Sequence, residues 1–177
     1  MEKHQISLNQ KKVKYNQTDK MFRFWNGSLI EFMYCDKETD TDRLQGAEYD
    51  VIFIDEATQL LESQLKDIAV CARGVNNFPK HVYFTCNPGG RGHGYIKRIF
   101  IDKKYLPGEK PEEYVFIQSG VRDNKALMIY QPDYISQLEA LPPKRRKAWL
   151  DGDWDVYEGQ FFDDFVDDPE HYKDRKY

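Results

Sequence analysis

Two adjacent carboxylates, Asp55 and Glu56, directly follow an apolar run at residues 51–54. In an open α/β sheet, ligands bind beyond the carboxyl ends of the strands, so a strand at 51–54 would present both acids to a ligand. Hydrolysis of a nucleoside triphosphate needs two acids with different tasks. One holds the hydrated Mg²⁺ that bridges the phosphates, and the other orients and deprotonates the attacking water. In this Walker B arrangement we assign Asp55 to the metal, through water, and Glu56 to catalysis.

A plainer interpretation of the two acids stays open. A carboxylate that directly follows a strand often caps the helix that comes next, and a second one is favoured by the helix dipole. In that case Asp55 would be an N-cap and Glu56 would have no catalytic task.

A second polar group, at residues 85–90, follows the next apolar run, residues 81–84. The hydroxyl of Thr85 and the amide of Asn87 have the chemistry to hydrogen-bond a terminal phosphate or the attacking water. We predict a loop over 87–92. The alternative is a polar turn in which Asn, Pro and Gly serve only the geometry of the backbone.

The elements that must position these residues form a predicted βαβ unit. The runs at 49–54 and 81–85 predict two strands, and apolar residues at helical spacing predict a helix over 57–72 that Gly74 ends. Two strands joined through a helix run parallel. Because the run at 51–54 is almost continuously apolar, we expect this strand to be covered on both faces, as in a parallel central sheet.

Shorter elements are predicted on either side of this unit. Asn-Gly at 26–27 lies between alternating apolar residues, which is the strongest short signal for a β-hairpin, because both residues tolerate positive φ. The first twenty residues are polar and predict only a lead-in. Further predicted elements are a helix beginning at 95–100, a strand at 114–117 and helices at 134–141 and 143–150.

The composition fits one soluble globular domain and argues against several classes of protein. With 177 residues, 40% of them hydrophobic and 15% aromatic, the chain can bury a core and is not disordered. No apolar run approaches the roughly 20 residues that span a bilayer, and the first residues lack the apolar segment of a secretory signal. The three dispersed cysteines form neither a disulfide framework nor a CxxC metal pattern, which suits a reducing cytoplasm.

The net charge of −4 does not indicate a nucleic-acid-binding protein, but local basic patches matter more than the sum. One patch lies at 91–98 and provides Arg91, Lys97 and Arg98 as candidate contacts to DNA. A second patch lies at 144–147, where a solvated helix face is the simpler explanation. Contacts of this kind would grip phosphates and would read no bases.

Several motifs occur together in one order along the chain. They are the Asn-Gly hairpin at 26–28, the segment 43–50 that leads into the Walker B run at 51–57, the polar run at 85–90, Asp-Asn at 123–124, Arg-Arg at 145–146 and residues 150–154. With this ordered set, residues 20–165 resemble the phage terminase large subunit family. The resemblance implies an ATPase that drives DNA translocation, with Asp55 and Glu56 as Walker B residues and residues 85–87 as the motif that couples hydrolysis to motion.

The resemblance also bears on Arg43. It implies that this arginine can reach the nucleotide of a neighbouring subunit. The alternative is a solvated residue in a charged loop.

The implied fold is α/β: part of a P-loop NTPase core of the ASCE type, with a parallel central sheet and a small helical linker subdomain. We predict a lead-in at 1–20, the C-terminal part of the ATPase core at 21–110, the linker subdomain at 111–160 and the start of a connection to a nuclease domain at 161–177. The sequence contains no GxxxxGKS or GxxxxGKT motif. We therefore expect the phosphate-binding loop upstream of Met1, and we expect the chain alone to be catalytically incomplete.

The acidic residues near the C-terminus are predicted to be linker, with the nuclease acids beyond Tyr177. A two-metal site from Asp163, Asp164, Asp167 and Asp168 stays an alternative. If the nuclease acids lie beyond Tyr177, the intact parent protein would be an ATPase with nuclease activity in a separate domain.

The implied function is that of a fragment of an ATP-driven motor, which moves viral double-stranded DNA into a procapsid in the cytoplasm of the bacterial host. Its cofactors would be Mg²⁺ and ATP, with ATP bound only when the missing phosphate loop is present. Its partners would be double-stranded DNA, the terminase small subunit, the portal protein and further copies in a ring, with no membrane. Two alternatives stay open: a fragment of a helicase-like DNA-dependent ATPase, and a non-enzymatic, degenerate prophage remnant.

Overall fold

The computed structural model of the protein describes residues 13–156, which form two compact units that divide between Arg43 and Leu44. The described chain is mixed α/β and holds a three-stranded antiparallel sheet in the N-terminal unit and a two-stranded parallel sheet in the C-terminal unit. The predicted α/β class is thereby confirmed. The predicted boundaries at 20, 110 and 160 stay predictions, and the acidic residues of 161–177 lie outside the described residues.

The N-terminal unit is built on strands β1 (Val13–Asn16), β2 (Met21–Phe24) and β3 (Leu29–Glu31), which pair in that order. The predicted hairpin is confirmed as β2 and β3. Sequence analysis does not predict β1, because its polar neighbours conceal a short strand that is held by pairing with β2. A 3₁₀ segment, Glu38–Leu44, follows.

The hairpin loop contains the predicted Asn-Gly pair and one further residue, Trp25. Phe24 N–H donates to Ser28 O at 2.9 Å, and Gly27 N–H donates to Phe24 O at 3.1 Å, so three residues form the loop. Within the loop Gly27 alone has a positive φ, of 86°, whereas the prediction allowed this conformation to Asn26 as well. A three-residue loop needs a single left-handed residue, and glycine adopts that conformation at the least cost.

The C-terminal unit places β4 (Val51–Ile54) beside β5 (His81–Phe84) in parallel, with helix α1 (Glu62–Val70) between them in the chain. The predicted βαβ unit is confirmed. The helix is shorter than the predicted 57–72, because a 3₁₀ turn at Ala57–Gln59 ends in two extended residues before α1 begins.

The chain after β5 consists mostly of short helices joined by loops. They are α2 (His93–Ile96), which continues as a π-helical turn over Lys97–Ile101, α3 (Lys125–Tyr130), α4 (Tyr134–Glu139) and α5 (Pro143–Leu150), with 3₁₀ turns at Pro111–Glu113 and Val121–Asp123. The helices predicted near 95, 134 and 143 are confirmed, whereas α3 is not predicted. The strand predicted at 114–117 is wrong, because these residues pair with no strand in the described chain.

The two faces of the β4–β5 sheet differ in what covers them. On one face Ile54 is 8% exposed, and the ring of Phe84 meets that of Phe100 edge-on, with 5.8 Å between the centroids. On the other face Phe53 is 76% exposed and stacks on Tyr83 at 5.1 Å. The prediction of a strand covered on both faces is therefore wrong for residues 13–156.

Candidate active site

Asp55 and Thr85 are in direct contact at the carboxyl edge of the β4–β5 sheet. Parallel pairing aligns Ile54 with Phe84, so both strands end at the same level and the residues that follow them meet. The Thr85 hydroxyl donates a hydrogen bond to Asp55 Oδ1. The fold thus brings together two predicted site residues that lie 30 positions apart in the sequence.

The Asp55 carboxylate is exposed, and the protein uses only part of it. Oδ1 accepts a second hydrogen bond, from the backbone N–H of Glu56 at 3.1 Å, whereas no donor from residues 13–156 binds Oδ2. Those residues contain no cluster of three or more His, Cys, Asp or Glu side chains that could hold a metal ion. A magnesium–nucleotide complex needs fewer protein ligands, since Mg²⁺ keeps several waters and takes one or two carboxylates together with phosphate oxygens.

Glu56 adopts a left-handed backbone conformation (φ 50°, ψ 45°) that residues other than glycine rarely take. The conformation costs about 1–2 kcal/mol, and such strain concentrates at functional sites. The turn lets Ala57 N–H donate to Thr85 O at 3.0 Å, and the Glu56 side chain is exposed. The interpretation of Asp55 as a helix cap is wrong, because Glu56 occupies the N-cap position and no side chain caps the 3₁₀ turn.

The loop after β5, residues 87–92, is fixed to the 3₁₀ turn that follows β4. Thr58 Oγ1 donates to Asn87 O at 3.0 Å, and Gly92 N–H donates to Thr58 O at 2.8 Å. A Cβ on Gly90 would lie 2.4 Å from Thr58 O, so this close approach requires glycine. The Asn87 side chain is exposed and makes no hydrogen bond to the described residues, so its amide is available to a ligand.

Sequence analysis missed three residues at this site, which are Thr58, Gly90 and His93. The glycine run at 89–94 is a signal for Gly90 alone, because glycines accumulate where two backbones approach closely. Thr58 and His93 carry no signal of their own. Their contacts depend on the tertiary approach of the loop to the turn, which the sequence pattern does not encode.

A family model described as terminase large subunit, T4likevirus-type, N-terminal, matches residues 1–165. The chain belongs to the T4-like terminase large subunit family. The recognition drawn from the ordered motifs is thereby confirmed, and with it a role in phage DNA packaging. No curated protein and no solved structure matches the chain.

Two of the basic residues predicted to contact DNA differ in their surroundings in this terminase chain. Arg91 is exposed, its Nε donates to Gln59 O at 3.3 Å, and no carboxylate of residues 13–156 pairs with it. Lys97 instead pairs with Asp102 at 2.8 Å and with Asp155 at 3.1 Å. DNA contact stays a prediction for both, and Arg91 is the residue whose charge is free to meet a phosphate.

None of the helices in the described residues is long and apolar enough to cross a bilayer.

Arg98, the third basic candidate, is engaged in a two-pronged ion pair. Its terminal nitrogens bind the two oxygens of Glu109 at 2.7 and 2.9 Å, and one of them also donates to Lys104 O at 2.8 Å. Glu109 Oε2 accepts from Leu106 N–H at 2.7 Å as well. The Arg98 guanidinium and this backbone N–H lower the pKa of Glu109 to about 2. In the described chain Arg98 therefore stabilises the loop that precedes Glu109.

We expect this pair to make the stability of the terminase chain depend on acid pH. The pKa of Glu109 is lower in the folded than in the unfolded protein, so its stabilisation is complete above the ordinary value of 4.5 and disappears as the pH falls through about 2. Glu109→Gln should therefore lower Tm at pH 7, and the difference from the unchanged protein should shrink as the pH falls below 4.5. Thermal unfolding followed by circular dichroism measures both effects.

The control is Glu113→Gln, because Glu113 and its partner Lys110 are both well exposed, with side chains 58% and 65% accessible. Such pairs contribute little to stability, so the control should leave Tm almost unchanged. A Tm loss for Glu109→Gln that stays constant from pH 7 to pH 3 would contradict the assignment of the pair.

Arg43 lies in the N-terminal unit and is held by neighbours in that unit. One of its terminal nitrogens pairs with Asp40 at 3.2 Å, and its guanidinium lies over the Tyr34 ring, 5.3 Å from the centroid. The side chain is 56% exposed and keeps access to solvent. Its reach to the nucleotide of a neighbouring subunit stays a prediction.

A groove of about 360 Å³ runs along β5. One wall is formed by residues 82–88 and the other by residues 115–119. The N–H groups of His81 and Thr85 point to β4, so the alternate residues Val82 and Phe84 turn their backbone groups to the groove. Neither these groups nor the backbone of 115–118 has a hydrogen-bond partner in the described chain. A strand edge of this kind is a template for pairing with a further strand.

Proposed function

We propose that the chain supplies the acidic half of the ATPase site that powers phage DNA packaging by the terminase large subunit. The observation that carries the proposal is the contact between Asp55 and Thr85 at the carboxyl ends of two parallel strands, with Glu56 next to it. Ligands of open α/β sheets bind at this edge. Family membership supports the proposal, because it connects the chain with packaging independently of the site.

Each residue has a task in the proposed reaction. Asp55 would hold Mg²⁺ through water, and the Thr85 hydroxyl fixes the orientation of the Asp55 carboxylate. Glu56, exposed on its left-handed turn, orients the attacking water and accepts its proton. Asn87 hydrogen-bonds the terminal phosphate or the same water. Mg²⁺, when bound, supplies the positive charge that the phosphates need in the transition state.

The phosphate-binding loop comes, in this proposal, from a segment other than these 177 residues. The groove beside β5 supports it, since the backbone groups of Val82 and Phe84 are available for a further strand. A strand that enters the groove parallel to β5 ends at the carboxyl edge, where Asp55 lies, and places a following loop over the site. With this strand the two-stranded sheet becomes part of a P-loop core.

The partners in the proposal are those of a packaging motor. Double-stranded DNA is gripped through its phosphates by exposed cations, of which Arg91 is the best placed in the described chain. Further copies of the subunit form a ring in which Arg43 reaches a neighbour's nucleotide, and the terminase small subunit and the portal protein complete the assembly in the host cytoplasm. No observation favours the helicase-like alternative, and the experiment that follows decides between the motor and the non-enzymatic remnant.

Complementation tests the proposed function. The chain is extended by, or mixed with, a segment that carries a terminase phosphate-binding loop on its strand, and ATP hydrolysis is measured with and without Mg²⁺ and double-stranded DNA. We expect hydrolysis that requires Mg²⁺ and that double-stranded DNA stimulates. Ile117→Asp puts a charge on the groove wall and should prevent complementation, whereas Val75→Asp, at a fully exposed residue outside the groove, should not. A complemented protein that never hydrolyses ATP would support the non-enzymatic alternative.

A further inference from the structure

His93, the first residue of α2, is a buried polar side chain that the proposed reaction does not use. Its side chain is among the least exposed, at 3%. Nδ1 accepts a hydrogen bond from Gly89 N–H at 3.0 Å, so this nitrogen carries no proton. The imidazole stacks on the Trp154 indole with 5.3 Å between centroids and 27° between planes. The backbone of Trp154 acts on the ring as well and raises its pKa.

The hydrogen bond from Gly89 on one side and the stack on Trp154 on the other fix the orientation of the ring. Burial lowers the pKa of His93, and this favours the neutral form that Nδ1 needs in order to accept from Gly89. The charged groups that act on the ring are Lys97, which also lowers its pKa, and Asp155 and Asp102, which raise it.

The two partners of the ring belong to separate parts of the C-terminal unit. Gly89 lies in the loop 87–92, which carries Asn87 and is fixed to the turn after β4 through Thr58. Trp154 follows α5 and is 8% exposed. His93 is therefore a short physical connection between the loop beside the candidate site and the chain beyond α5.

We propose that His93 is a positioning residue that couples the loop 87–92 to the chain at Trp154. The inference rests on the proposed function, because the coupling serves the motor only if this loop responds to the nucleotide. A shift of Gly89 changes the direction of its N–H group and turns the imidazole, and the stacked indole follows the ring. A histidine that merely filled the core would be replaceable by an apolar ring of similar size.

A mutant cycle in the 177-residue chain tests the coupling without any nucleotide. The readout is the hydrogen-exchange rate of the Gly89 amide, measured by NMR. We expect Trp154→Leu to raise this rate about tenfold when His93 is present, since the loss of the stack weakens the hydrogen bond on the other side of the ring. In a His93→Phe background, where Gly89 N–H has no acceptor, the exchange is already fast and Trp154→Leu should leave it unchanged.

Conservative variants separate positioning from packing. His93→Asn places an amide oxygen near the position of Nδ1, so it should restore slow exchange at Gly89 without restoring the effect of Trp154→Leu. Trp149→Leu is the matched control, because Trp149 is 47% exposed and should not affect Gly89. If Trp154→Leu unfolds the chain, which the loss of protection along α1 would reveal, Trp154→Phe keeps a stacked ring and should give a smaller effect of the same kind.

Two results would overturn the proposal: a Gly89 amide that stays protected in His93→Phe, or an effect of Trp154→Leu that is equal in both backgrounds. Since the measurement needs neither ATP nor DNA, a failed coupling and a failed ATPase assignment remain distinguishable. If the exchange measurements show the coupling but the complemented protein does not hydrolyse ATP, His93 still connects the loop 87–92 to Trp154. The connection then has no role in a motor.

Discussion

Glu56→Gln should abolish ATP hydrolysis by the complemented terminase and leave ATP binding intact. The amide cannot accept the proton of the attacking water, so we expect kcat to fall by about 10²–10⁴-fold, the usual contribution of a general base. The Glu56 side chain is exposed and makes no hydrogen bond to residues 13–156, so the substitution should not disturb the fold. Steady-state hydrolysis and equilibrium binding of ATP, measured on the same preparation, separate the two effects.

The matched control for this prediction is Glu62→Gln. Glu62 is an exposed glutamate at the start of α1, and it pairs with Lys66 at 2.5 Å. Such a surface pair is worth at most about 1 kcal/mol, and the control should keep full activity. A Glu56→Gln protein that hydrolyses ATP within tenfold of the unchanged rate would remove Glu56 from the mechanism. If Glu56→Gln abolishes ATP binding, Glu56 belongs to the ligand-binding site and has no catalytic role.

Gly90→Ala should destabilise the chain strongly. The new Cβ would lie 2.4 Å from the carbonyl oxygen of Thr58, and the φ of 89° is unfavourable for alanine. Crowding and backbone strain together should cost about 2 kcal/mol or more, which lowers Tm by roughly 6 °C or more in a unit of this size. Thermal unfolding measures the loss.

Two neighbouring glycines separate the contributions to this loss. Gly89 has a φ of 114°, but a methyl group added to it would have no atom within 4 Å, so Gly89→Ala should show the strain without the crowding. Gly94→Ala has neither penalty and should leave Tm unchanged or raise it slightly, because Gly94 lies in α2. Equal Tm values for Gly90→Ala and Gly94→Ala would contradict the claim that the loop 87–92 packs closely on the turn after β4 at Gly90.

The contact between Asp55 and Thr85 could be predicted in outline because it follows from strong local patterns. Two apolar runs joined by a helical pattern specify parallel strands, and parallel strands end at the same edge. The pattern does not give the hydrogen bond between the two side chains. The pattern assigns the hydroxyl of Thr85 to a phosphate, whereas in the fold this hydroxyl donates a hydrogen bond to Asp55.

The left-handed backbone of Glu56 and the attachment of the loop 87–92 to the turn after β4 could not be predicted. Glutamate has no preference for the left-handed conformation, so its φ of 50° is imposed by the tertiary structure. The contacts of Thr58 and His93 likewise arise when the loop approaches the turn, and no spacing in the sequence marks them.

Residues 114–117 and the exposed face of Phe53 share a different explanation. Their apolar character predicts a strand and a covered face, but a strand needs a neighbour and a covered face needs a covering element. Sequence patterns describe what a segment can bury, and the neighbours decide whether it does so. In the described chain Ile117 is 83% and Phe53 is 76% exposed, so both keep apolar surface for a further element.

The most direct test of the central claim is Mg²⁺-dependent binding of ATP by the 177-residue chain, alone and after complementation with a phosphate-binding loop. We expect no binding by the chain alone and Mg²⁺-dependent binding by the complemented protein, weakened by Asp55→Asn. Binding and hydrolysis of ATP by the chain alone would contradict the proposal that the phosphate-binding loop comes from another segment. The phosphate site would then have to lie within the described glycine run at 89–94.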